Sequence, residues 1–505
     1  MSMWLYELIE ELEEFDIIGD LKQKILGISY DSRKVRPKDL FVAIKGTYLD
    51  GHDYIADAIQ RGAVAILAER YMENLKKDIC QIVVRDSRDA LGKVSSCFYG
   101  MPQKDMTFIG ITGTNGKTTT AYLIESILKR AGKRVGVVGT IEYRYGNRHL
   151  KAPVTTPESL DLIKMLSEMK RDGVTHIVME VSSHALSQKR VDTIPFSVGI
   201  FTNLSHDHLD YHQSMERYFQ AKRRLFDILL PKSGGVAIVN VDDPKGRLLS
   251  RSLYTKRLCY GINTKEDIWA NDLISDIEGI RGKIFYNGKN TAFRSPLLGR
   301  FNVYNILAAW AASLSLGIDQ TEISGGIEAL SEVPGRMQKI VAPDGTTVII
   351  DYAHSPDALK NVILSIREFS KGRLITVFGC GGERDRKKRP EMGLIAASMS
   401  DILIITSDNP RSEDPLRIIE EIKVGVERSG MDKFEDDKSG GYLIIPERKY
   451  AIKRAIALSK SRDIILIAGK GHEEYQIIKG EKIPFSDIEE AKVALRERAI
   501  QDRTY

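Results

Sequence analysis

The chain has 505 residues, of which 42% are apolar and 28% are charged, and its formal net charge is +5. Because domains usually comprise about 100–200 residues, this length predicts two to four of them. So small a charge excess over so long a chain argues against a nucleic-acid-binding protein and against a protein that binds anionic membranes.

The N-terminus and the cysteines bear on the location of the protein in the cell. The first residues, MSMWLYELIEELEEFD, form an acidic stretch with helical periodicity and lack the basic and apolar regions of a signal peptide. No apolar run reaches the roughly 18 residues that a membrane span needs. Cys80, Cys97, Cys259 and Cys380 lie far apart and form no CxxC pair, which is typical of reduced thiols. We therefore expect a cytoplasmic protein without a membrane span, and we expect it to be a monomer.

Three segments of α/β character follow one another along the chain. Residues 1–103 mix short apolar runs with helical stretches and end near a proline-containing linker, GMPQKD. In residues 104–337 and 338–505, continuous apolar runs alternate with helical patterns, which predicts parallel sheets with helices on both faces. The expected fold is α/β in three domains with these boundaries, the last of them Rossmann-like.

Polar or glycine-containing clusters end the predicted strands of the last segment. They follow the apolar runs TTVIID, RLITVF, DILIIT and DIILIA. Because ligands bind beyond the carboxyl ends of the strands in open parallel sheets, we expect the functional groups in these clusters.

A glycine-rich loop connects the first predicted strand of the central segment, MTFIGITG, to a helical stretch that begins at Lys117. The order of strand, glycine-rich turn, Gly-Lys-Thr and helix is that of a P-loop, which makes the central segment a P-loop domain. Lys117 would contact the β- and γ-phosphates of ATP, and the Thr118 hydroxyl would bind Mg²⁺. The predicted ATP-binding residues of the loop are Gly113, Thr114, Asn115, Gly116, Lys117, Thr118 and Thr119.

This loop departs from the strict GxxxxGK[ST] pattern, because isoleucine occupies position 111. A glycine-rich turn without a ligand is the alternative, and the correct order of strand, turn and helix argues against it. From this loop alone, the chain could still be a motor, a transporter or a switch ATPase.

Further polar side chains follow two other predicted strands of the central segment. Glu180 ends the buried run HIVME, where a carboxylate is costly unless it is paired or binds a metal. His208 lies in SHDHLDYH, soon after the run SVGIF. Taken singly, Glu180 could pair with a lysine, and the histidines could belong to a solvated loop. Lys222 follows in an amphipathic helical stretch, whose pattern alone places it on the surface.

Together these motifs resemble those of the Mur ligases, which attach amino acids to the peptide of the peptidoglycan precursor. The matching motifs are GITGTNGKTTT, MEVSSHAL, TNLSHDHLDYH, YFQAKRRLF, LGRFNVYN, PGRMQ, DYAHSPDAL and GKGHE, in this order from residue 110 to residue 473. DSR and GTYLDGHDY extend the resemblance into the N-terminal segment, so that it covers essentially the whole chain. It is greatest to members that add the third residue of the peptide.

The resemblance implies a catalytic centre with two Mg²⁺ ions. Lys117, Glu180, His208 and Lys222 are the implied catalytic residues, and Thr118, Glu180, His208 and Lys222 are the implied metal ligands. Lys222 is then expected to be carbamylated, which converts a cation into an oxygen-donating anion suited to Mg²⁺.

The resemblance also implies residues that bind the two nucleotide substrates. Asn302, Arg336, Asp351 and His354 would complete the ATP site. The UDP-N-acetylmuramoyl peptide would be bound by the N-terminal domain and the path leading from it, at Ser32, Thr47, Tyr48, Thr155, Thr156, Ser182, Gln188 and Arg190. Without the resemblance, Asn302 could be only a helix N-cap and Arg336 only part of a turn between domains.

The sequence Asp408-Asn409-Pro410-Arg411 is the most specific sign of which amino acid is added. Family members that add meso-diaminopimelate carry this DNPR motif, whereas lysine-adding members usually lack the arginine. Arg411 can bind a carboxylate with two parallel hydrogen bonds, and Asp408 and Asn409 can accept from an ammonium group. The implied diaminopimelate-binding residues are Arg384, Asp408, Asn409, Pro410, Arg411, Gly469 and Glu473. Glu383 stands where the family commonly has aspartate, which could shift Arg384.

The implied reaction is the ATP-dependent addition of meso-diaminopimelate to the D-glutamate of UDP-N-acetylmuramoyl-L-alanyl-D-glutamate, through an acyl phosphate, in cytoplasmic peptidoglycan precursor synthesis. L-lysine or another diamino acid is the alternative acceptor. A non-catalytic nucleotide-binding regulator is the alternative from another class. It would be expected to lack one of Lys117, Glu180, His208 and Lys222, and all four are present.

Overall fold

The computed structural model describes residues 2–46, 49–73, 75, 78–435 and 440–504. Within these ranges, each of three large sheets takes its strands from only one of the segments 1–103, 104–337 and 338–505. Buried apolar side chains fill both faces of each sheet. The predicted three-domain α/β architecture is confirmed. No helix in the described ranges has the length and apolar character required to cross a membrane.

The N-terminal segment contains a small sheet with helices on its two sides. Its elements are β1 (Met3–Trp4), α1 (Leu5–Leu8), β2 (Phe15–Ile18), β3 (Lys24–Ile25), β4 (Gly27–Ser29), β5 (Asp39–Val42), α2 (Ile55–Gln60), β6 (Ala65–Ala68), β7 (Cys80–Val84) and α3 (Ser87–Phe98). The strand order is β2-β7-β6-β5-β4, and only β2 is antiparallel to its neighbour.

The helical periodicity of the first sixteen residues gives only the short helix α1. Trp4 pairs with Lys24 on one side of this helix, and Phe15 pairs with Val84 on the other. Pairing with distant strands therefore overrides the local helical preference of this stretch.

The central segment contains the largest sheet. Its elements are β8 (Thr107–Thr112), α4 (Lys117–Arg130), β9 (Val135–Val138), β10 (Glu142–Tyr145), β11 (Arg148–Lys151), α5 (Ser159–Arg171), β12 (His176–Glu180), α6 (Ser183–Ser187), β13 (Phe196–Phe201), α7 (Leu209–His212), α8 (Met215–Arg224), α9 (Leu230–Ser233), β14 (Val236–Asn240), α10 (Pro244–Ser252), β15 (Arg257–Gly261), β16 (Ile268–Asp276), β17 (Gly279–Tyr286), β18 (Lys289–Ser295), α11 (Asn302–Ser315) and α12 (Gln320–Ala329).

The strand order of the central sheet is β11-β10-β9-β12-β8-β13-β14-β15-β16-β17-β18. The strands from β9 to β16 in this order are parallel, as predicted, but β10, β11, β17 and β18 are antiparallel. Short turns connect these outer strands to their neighbours, and a short turn can connect only antiparallel strands. Along β8, Phe108 and Ile109 enter the cores on opposite faces, as alternation in a strand requires.

The C-terminal segment repeats the parallel arrangement on a smaller scale. Its elements are β19 (Gln338–Val341), β20 (Thr347–Asp351), α13 (Pro356–Phe369), β21 (Leu374–Phe378), α14 (Lys388–Met399), β22 (Ile402–Ile405), α15 (Pro415–Arg428), β23 (Gly441–Ile444), α16 (Arg448–Leu458), β24 (Ile464–Ala468), β25 (Tyr475–Ile478), β26 (Glu481–Pro484) and α17 (Asp487–Thr504). The strand order is β19-β20-β24-β21-β22-β23, and only β19 is antiparallel.

Candidate active site

The carboxyl ends of three neighbouring strands bring together residues that are far apart in the sequence. Strand β8 lies between β12 and β13 and is parallel to both. Glu180 is the last residue of β12, the glycine-rich loop follows β8, and the segment with His208 follows β13. These three groups therefore meet at one edge of the central sheet, where open parallel sheets bind their ligands.

The carbonyl oxygen of Gly113 links the glycine-rich loop to helix α8. It accepts hydrogen bonds from Lys117 Nζ at 2.9 Å and from Lys222 Nζ at 2.8 Å. Lys222 is only 1% exposed, so the surface position that its helical pattern indicated is wrong. Burial holds the pKa of Lys222 well below its ordinary value, and repulsion from Lys117 lowers this pKa further.

Backbone geometry fixes the glycine-rich loop. Gly116, which precedes α4, has φ of 86°, and a Cβ atom at this position would collide with the side chain of Asn305. The Thr114 hydroxyl lies 3.2 Å from Tyr218 Oη, and the Asn115 N–H donates to Asn203 at 2.9 Å. The loop is therefore held open for an anion by both α8 and α11.

Glu180 is paired with a threonine rather than with a lysine. Its two carboxylate oxygens accept from the N–H of Thr140 at 2.9 Å and from the Thr140 hydroxyl at 2.8 Å. The Glu180 residue is 1% exposed. Thr140 was not identified from the sequence, although it follows the apolar run of β9 and so stands at the same sheet edge.

His208 belongs to a cluster of aromatic rings above this edge. The ring centroids of His208 and His184 are 5.1 Å apart, and those of His184 and Tyr211 are 4.1 Å apart. Burial lowers the pKa of His208 to about 4, opposed in part by Asp207. The imidazole of His208 is therefore neutral at pH 7, as a metal ligand must be.

The predicted metal ligands were tested for their fit to Mg²⁺. Thr118 and Glu180 supply oxygen atoms, which Mg²⁺ prefers. Lys222 in its amine form supplies none, but its low pKa favours the neutral amine, which is the form that reacts with carbon dioxide. Across the described residues, no three His, Cys, Asp or Glu side chains form a metal-binding group by themselves. The donor set therefore fits Mg²⁺ when Lys222 is carbamylated.

Asn302 does not cap helix α11, because it is the first residue inside the helix and Phe301 is the N-cap. Its amide donates to the Leu298 carbonyl at 2.6 Å, and its side-chain oxygen accepts from Asn305 at 2.7 Å. Asn305 in turn accepts from the Thr120 hydroxyl at 3.3 Å. Asn302 thus reaches the helix of the glycine-rich loop through Asn305, which stands one helical turn further on and was not identified from the sequence.

Arg336 connects the C-terminal segment to the glycine-rich loop. Its guanidinium lies 3.4 Å from the Thr118 hydroxyl and 4.6 Å from the ring centroid of Tyr352. The isolated bridge between Val333 and Arg336 confirms that PGR forms a turn. The turn and the contact with Thr118 coexist, so the two interpretations of Arg336 do not exclude each other.

Asp351 is the buried last residue of β20, and the half-buried His354 follows three residues later. Asp351 accepts from the N–H groups of Met337 and Ala353, both at 2.8 Å. Burial raises the pKa of Asp351 and lowers that of His354. The His354 Nδ1 atom lies 2.8 Å from the Tyr352 carbonyl oxygen.

Four of the residues predicted to line the path of the muramoyl peptide form one hydrogen-bonded group. The Thr156 hydroxyl accepts from the Ser182 N–H at 3.1 Å, and the Thr156 carbonyl accepts from Arg190 at 2.9 Å. Arg190 also donates to Gln188 at 2.6 Å. Thr155 lies beside this group, 3.2 Å from the Thr140 hydroxyl.

Of the three predicted uridine-binding residues, Ser32 is the one whose position the structure describes. Ser32 lies in a short 3₁₀ turn (Ser32–Lys34) of the N-terminal domain, where its hydrogen bond lowers the pKa of Asp57. Thr47 and Tyr48 lie outside the described residues.

The residues predicted to bind diaminopimelate meet where β21, β22 and β24 end. A Cβ atom at Gly381 would lie 3.0 Å from an Arg411 guanidinium nitrogen and 3.8 Å from Arg384 Cγ, so the Arg411 guanidinium and the stem of Arg384 both lie beside Gly381. Gly469 has φ of 117°, a conformation that favours glycine. Glu383 accepts a hydrogen bond from the Ser412 hydroxyl, on the far side of this loop.

Asn409 is already engaged within the protein. Its side-chain oxygen accepts from Lys470 Nζ and from the Ile477 N–H, both at 3.0 Å, and its amide donates to Glu473 at 2.8 Å. The expectation that Asn409 accepts from a substrate ammonium is therefore wrong, because both acceptor positions of its oxygen are occupied. Lys470 was not identified from the sequence, although it stands inside the GKGHE motif.

Two sites on different domains thus face each other: a phosphate-binding loop and a pocket with paired cationic and anionic side chains. Arg384 is among the cations that, after burial, lower the pKa of His184 in the central domain. Lys151 of β11 lies 3.9 Å from Glu474 and 5.3 Å from the ring centroid of Tyr475. The fold and the site define a multidomain P-loop protein with a second cluster of charged side chains on its C-terminal domain.

Comparison with known proteins gives the family. Residues 24–99, 111–313 and 335–471 match the models described as Mur ligase family, catalytic domain; Mur ligase middle domain; and Mur ligase, glutamate ligase domain. The UDP-N-acetylmuramoyl-L-alanyl-D-glutamate--2,6-diaminopimelate ligases of Geobacter metallireducens and Geobacter sulfurreducens are each 44% identical to the chain, and each alignment covers 98% of this chain and 99% of the relative. A solved structure of a ligase with this name is 32% identical, with a TM-score of 0.70 and coverage of 99% of this chain and 100% of that chain. The chain belongs to the Mur ligase family.

Proposed function

We propose that the chain is an ATP-dependent ligase that adds meso-diaminopimelate to the D-glutamate of UDP-N-acetylmuramoyl-L-alanyl-D-glutamate, in the synthesis of the peptidoglycan precursor. The observation that carries this proposal is the pocket at Gly381, where the Arg411 guanidinium and the stem of Arg384 lie, and beside which Lys470 contacts the carboxylates of Asp408 and Glu473. Such a pocket complements the distal end of diaminopimelate, which presents a carboxylate and an ammonium group. The names of the relatives support the same acceptor.

The chain's own cations counter the negative charge of the first step. In that step the γ-carboxylate of the D-glutamyl residue attacks the γ-phosphate of ATP and forms an acyl phosphate and ADP. Lys117 neutralises phosphate charge, and Arg336 reaches the same site through its contact with Thr118. Gly113, Thr114, Asn115, Gly116 and Thr119 form the rest of the phosphate loop, and Asn302, Asp351 and His354 hold the remainder of ATP.

Thr118, Glu180, His208 and a carbamylated Lys222 would hold Mg²⁺ at this site. Magnesium bound there supplies electrostatic stabilisation of the phosphate oxygens. Burial lowers the pKa of Lys222 and so favours the neutral amine, which is the form that carbamylation requires. Thr140 fixes the carboxylate of Glu180 in place through two hydrogen bonds.

In the second step the α-amine of diaminopimelate attacks the acyl phosphate, and phosphate leaves as the amide forms. Arg384, Arg411, Asp408, Pro410, Gly469 and Glu473 hold the acceptor for this attack, and Asn409 orients Glu473 through the hydrogen bond between their side chains. Thr155, Thr156, Ser182, Gln188 and Arg190 hold the muramoyl peptide, while Ser32, Thr47 and Tyr48 bind the uridine diphosphate. Because the buried interface excludes water, the acyl phosphate is protected from hydrolysis. We further propose the domain boundaries 1–103, 104–337 and 338–505, a cytoplasmic location and a monomeric state.

ADP release tests this function. The full-length protein is given UDP-N-acetylmuramoyl-L-alanyl-D-glutamate, ATP and Mg²⁺, with either meso-diaminopimelate or L-lysine. We expect a much larger kcat/KM for meso-diaminopimelate than for L-lysine. Turnover with L-lysine alone would agree with ligase activity but contradict the proposed role of Arg411 in binding a distal carboxylate. No ADP release with either acceptor would favour the alternative that the chain is a nucleotide-binding regulator.

A further inference from the structure

A fully buried lysine lies behind the proposed acceptor pocket. Lys470 follows β24 and is 0% exposed. Its ammonium group donates to Asn409 at 3.0 Å and to Glu473 at 2.9 Å, and it lies 3.7 Å from the nearer carboxylate oxygen of Asp408. Two N–H groups of Lys470 thus donate to Asn409 and Glu473, and its charge lies near Asp408 without a hydrogen bond to it. Because Lys470 is fully buried, it stands behind the surface that a substrate would contact.

These contacts determine which atoms of the pocket remain available. The Lys470 ammonium and the Ile477 N–H both donate to the side-chain oxygen of Asn409, which forces the amide nitrogen of Asn409 towards Glu473. The carboxylate oxygen Oδ1 of Asp408 is buried and, among the described residues, has no hydrogen-bond donor within bonding distance. A buried acceptor without a donor costs free energy, which a donating ligand would recover.

Charge balance identifies the group that this half of the pocket accepts. Asp408 and Glu473 bring two negative charges, and Lys470 neutralises one of them. One uncompensated negative charge remains, which is the complement of a single ammonium group. Without Lys470, two carboxylates would face that ammonium and repel each other.

We propose that Lys470 is a positioning residue that sets the specificity of the acceptor pocket for a distal ammonium group. The proposal rests on the proposed function, in which this pocket binds diaminopimelate. Lys470 acts through Asn409, Glu473 and Asp408 and does not touch the substrate. Its removal should therefore weaken acceptors that have a distal amine more than acceptors that lack one.

The test compares two acceptors in full-length wild type and Lys470→Met. One is meso-diaminopimelate, and the other is 2-aminopimelate, which keeps the distal carboxylate but lacks the distal amine. We expect K470M to raise KM for meso-diaminopimelate about 10- to 100-fold, the range for loss of charge-assisted hydrogen bonds. The Ki of 2-aminopimelate as a competitor should change less than about 3-fold, and KM for ATP less than about 2-fold.

Two further variants complete the design. Lys482→Met is the matched control, because Lys482 is exposed and lies 4.6 Å from the ring centroid of Tyr475, the ring that Lys470 also approaches. It should leave both acceptors unchanged. Lys470→Arg keeps the charge and should restore part of the preference for meso-diaminopimelate. If K470M fails to fold, the same comparison of the two acceptors in K470R tests the proposal.

If K470M weakened the binding of both acceptors equally, Lys470 would have only a structural role and the proposal would be overturned. The absence of any change in KM or Ki would also overturn it. Failure of the proposed function has a different signature. In that case the wild type itself would not turn over meso-diaminopimelate, and calorimetric binding of the two compounds to wild type and variant would still decide the role of Lys470.

Discussion

Arg411→Gln should remove recognition of the acceptor's distal carboxylate while the rest of the site stays intact. The backbone of Arg411 is fixed independently of its side chain, because its N–H donates to the Ile477 carbonyl at 2.9 Å and its carbonyl accepts from the Lys479 N–H at 2.7 Å. One arm of the guanidinium donates to the Gly382 carbonyl, which leaves the other donors for a ligand. The substitution therefore removes the charge and the fork while the loop keeps its anchors.

The size of the effect follows from the hydrogen bonds that are lost. A hydrogen bond to a charged group contributes about 1.5–3 kcal/mol. Loss of that amount corresponds to a decrease of about 10- to 150-fold in kcat/KM for meso-diaminopimelate. L-lysine has no distal carboxylate, so its kcat/KM should change less than about 3-fold in R411Q.

ADP release with each acceptor measures both values, and Arg386→Gln provides the control. Arg386 lies in the neighbouring loop, is exposed and pairs with Glu421. It should leave both acceptors within about 2-fold of wild type. An equal decrease for both acceptors in R411Q would mean that the loop has moved, and an unchanged value for meso-diaminopimelate would refute the role of Arg411.

Three other substitutions test other parts of the structure. Lys222→Ala should abolish ADP release, and added acetate should restore part of the activity because acetate can occupy the position of the carbamate. Full activity of the variant without acetate would remove the carbamate from the mechanism. Gly335→Ala should lower kcat/KM for both ATP and the acceptor by about 10-fold or more. Gly335 has φ of 65°, and the adjacent backbone of Gly471 leaves no room for a Cβ atom. Unchanged steady-state kinetics would show that the turn adapts to the substitution. Arg448 and Asp487 form an ion pair in which both side chains are 0% exposed, so Arg448→Met leaves the Asp487 carboxylate buried without its partner. The free energy of unfolding, measured by urea titration, should decrease by about 3–5 kcal/mol. A decrease below about 1 kcal/mol would contradict this expectation.

The strands and the phosphate loop could be predicted from the sequence because their signals are local. The run MTFIGIT before the glycines predicts a buried strand followed by an anion-binding turn, and β8 and the loop after it have this form. The hairpin β10–β11 gave no such signal, because EYRY and RHLK contain charged residues and β11 is exposed along its length. Strand β11 depends on its pairing with β10, and β10 is buried through its tyrosines, which a short polar run does not reveal.

The position of Lys222 could not be predicted from its helix. Its helical stretch is polar on most sides, and the distant Gly113 carbonyl provides an acceptor that makes its burial tolerable. The engagement of Asn409 was also beyond the sequence, because it depends on Lys470 and Ile477 from a later strand–loop unit. In both cases a tertiary contact with a residue more than sixty positions away decides what the side chain can do.

The same reasoning explains why the turn at Gly335 matters to both substrates. A Cβ atom at Gly335 would collide with the backbone of Gly471 and His472, so the turn and the GKGHE loop are packed backbone to backbone. Arg336, the next residue, contacts Thr118 of the phosphate loop. Lys470, on the other side of Gly471, orients the acceptor pocket. We therefore expect a displacement of this turn to move a phosphate contact and an acceptor contact together.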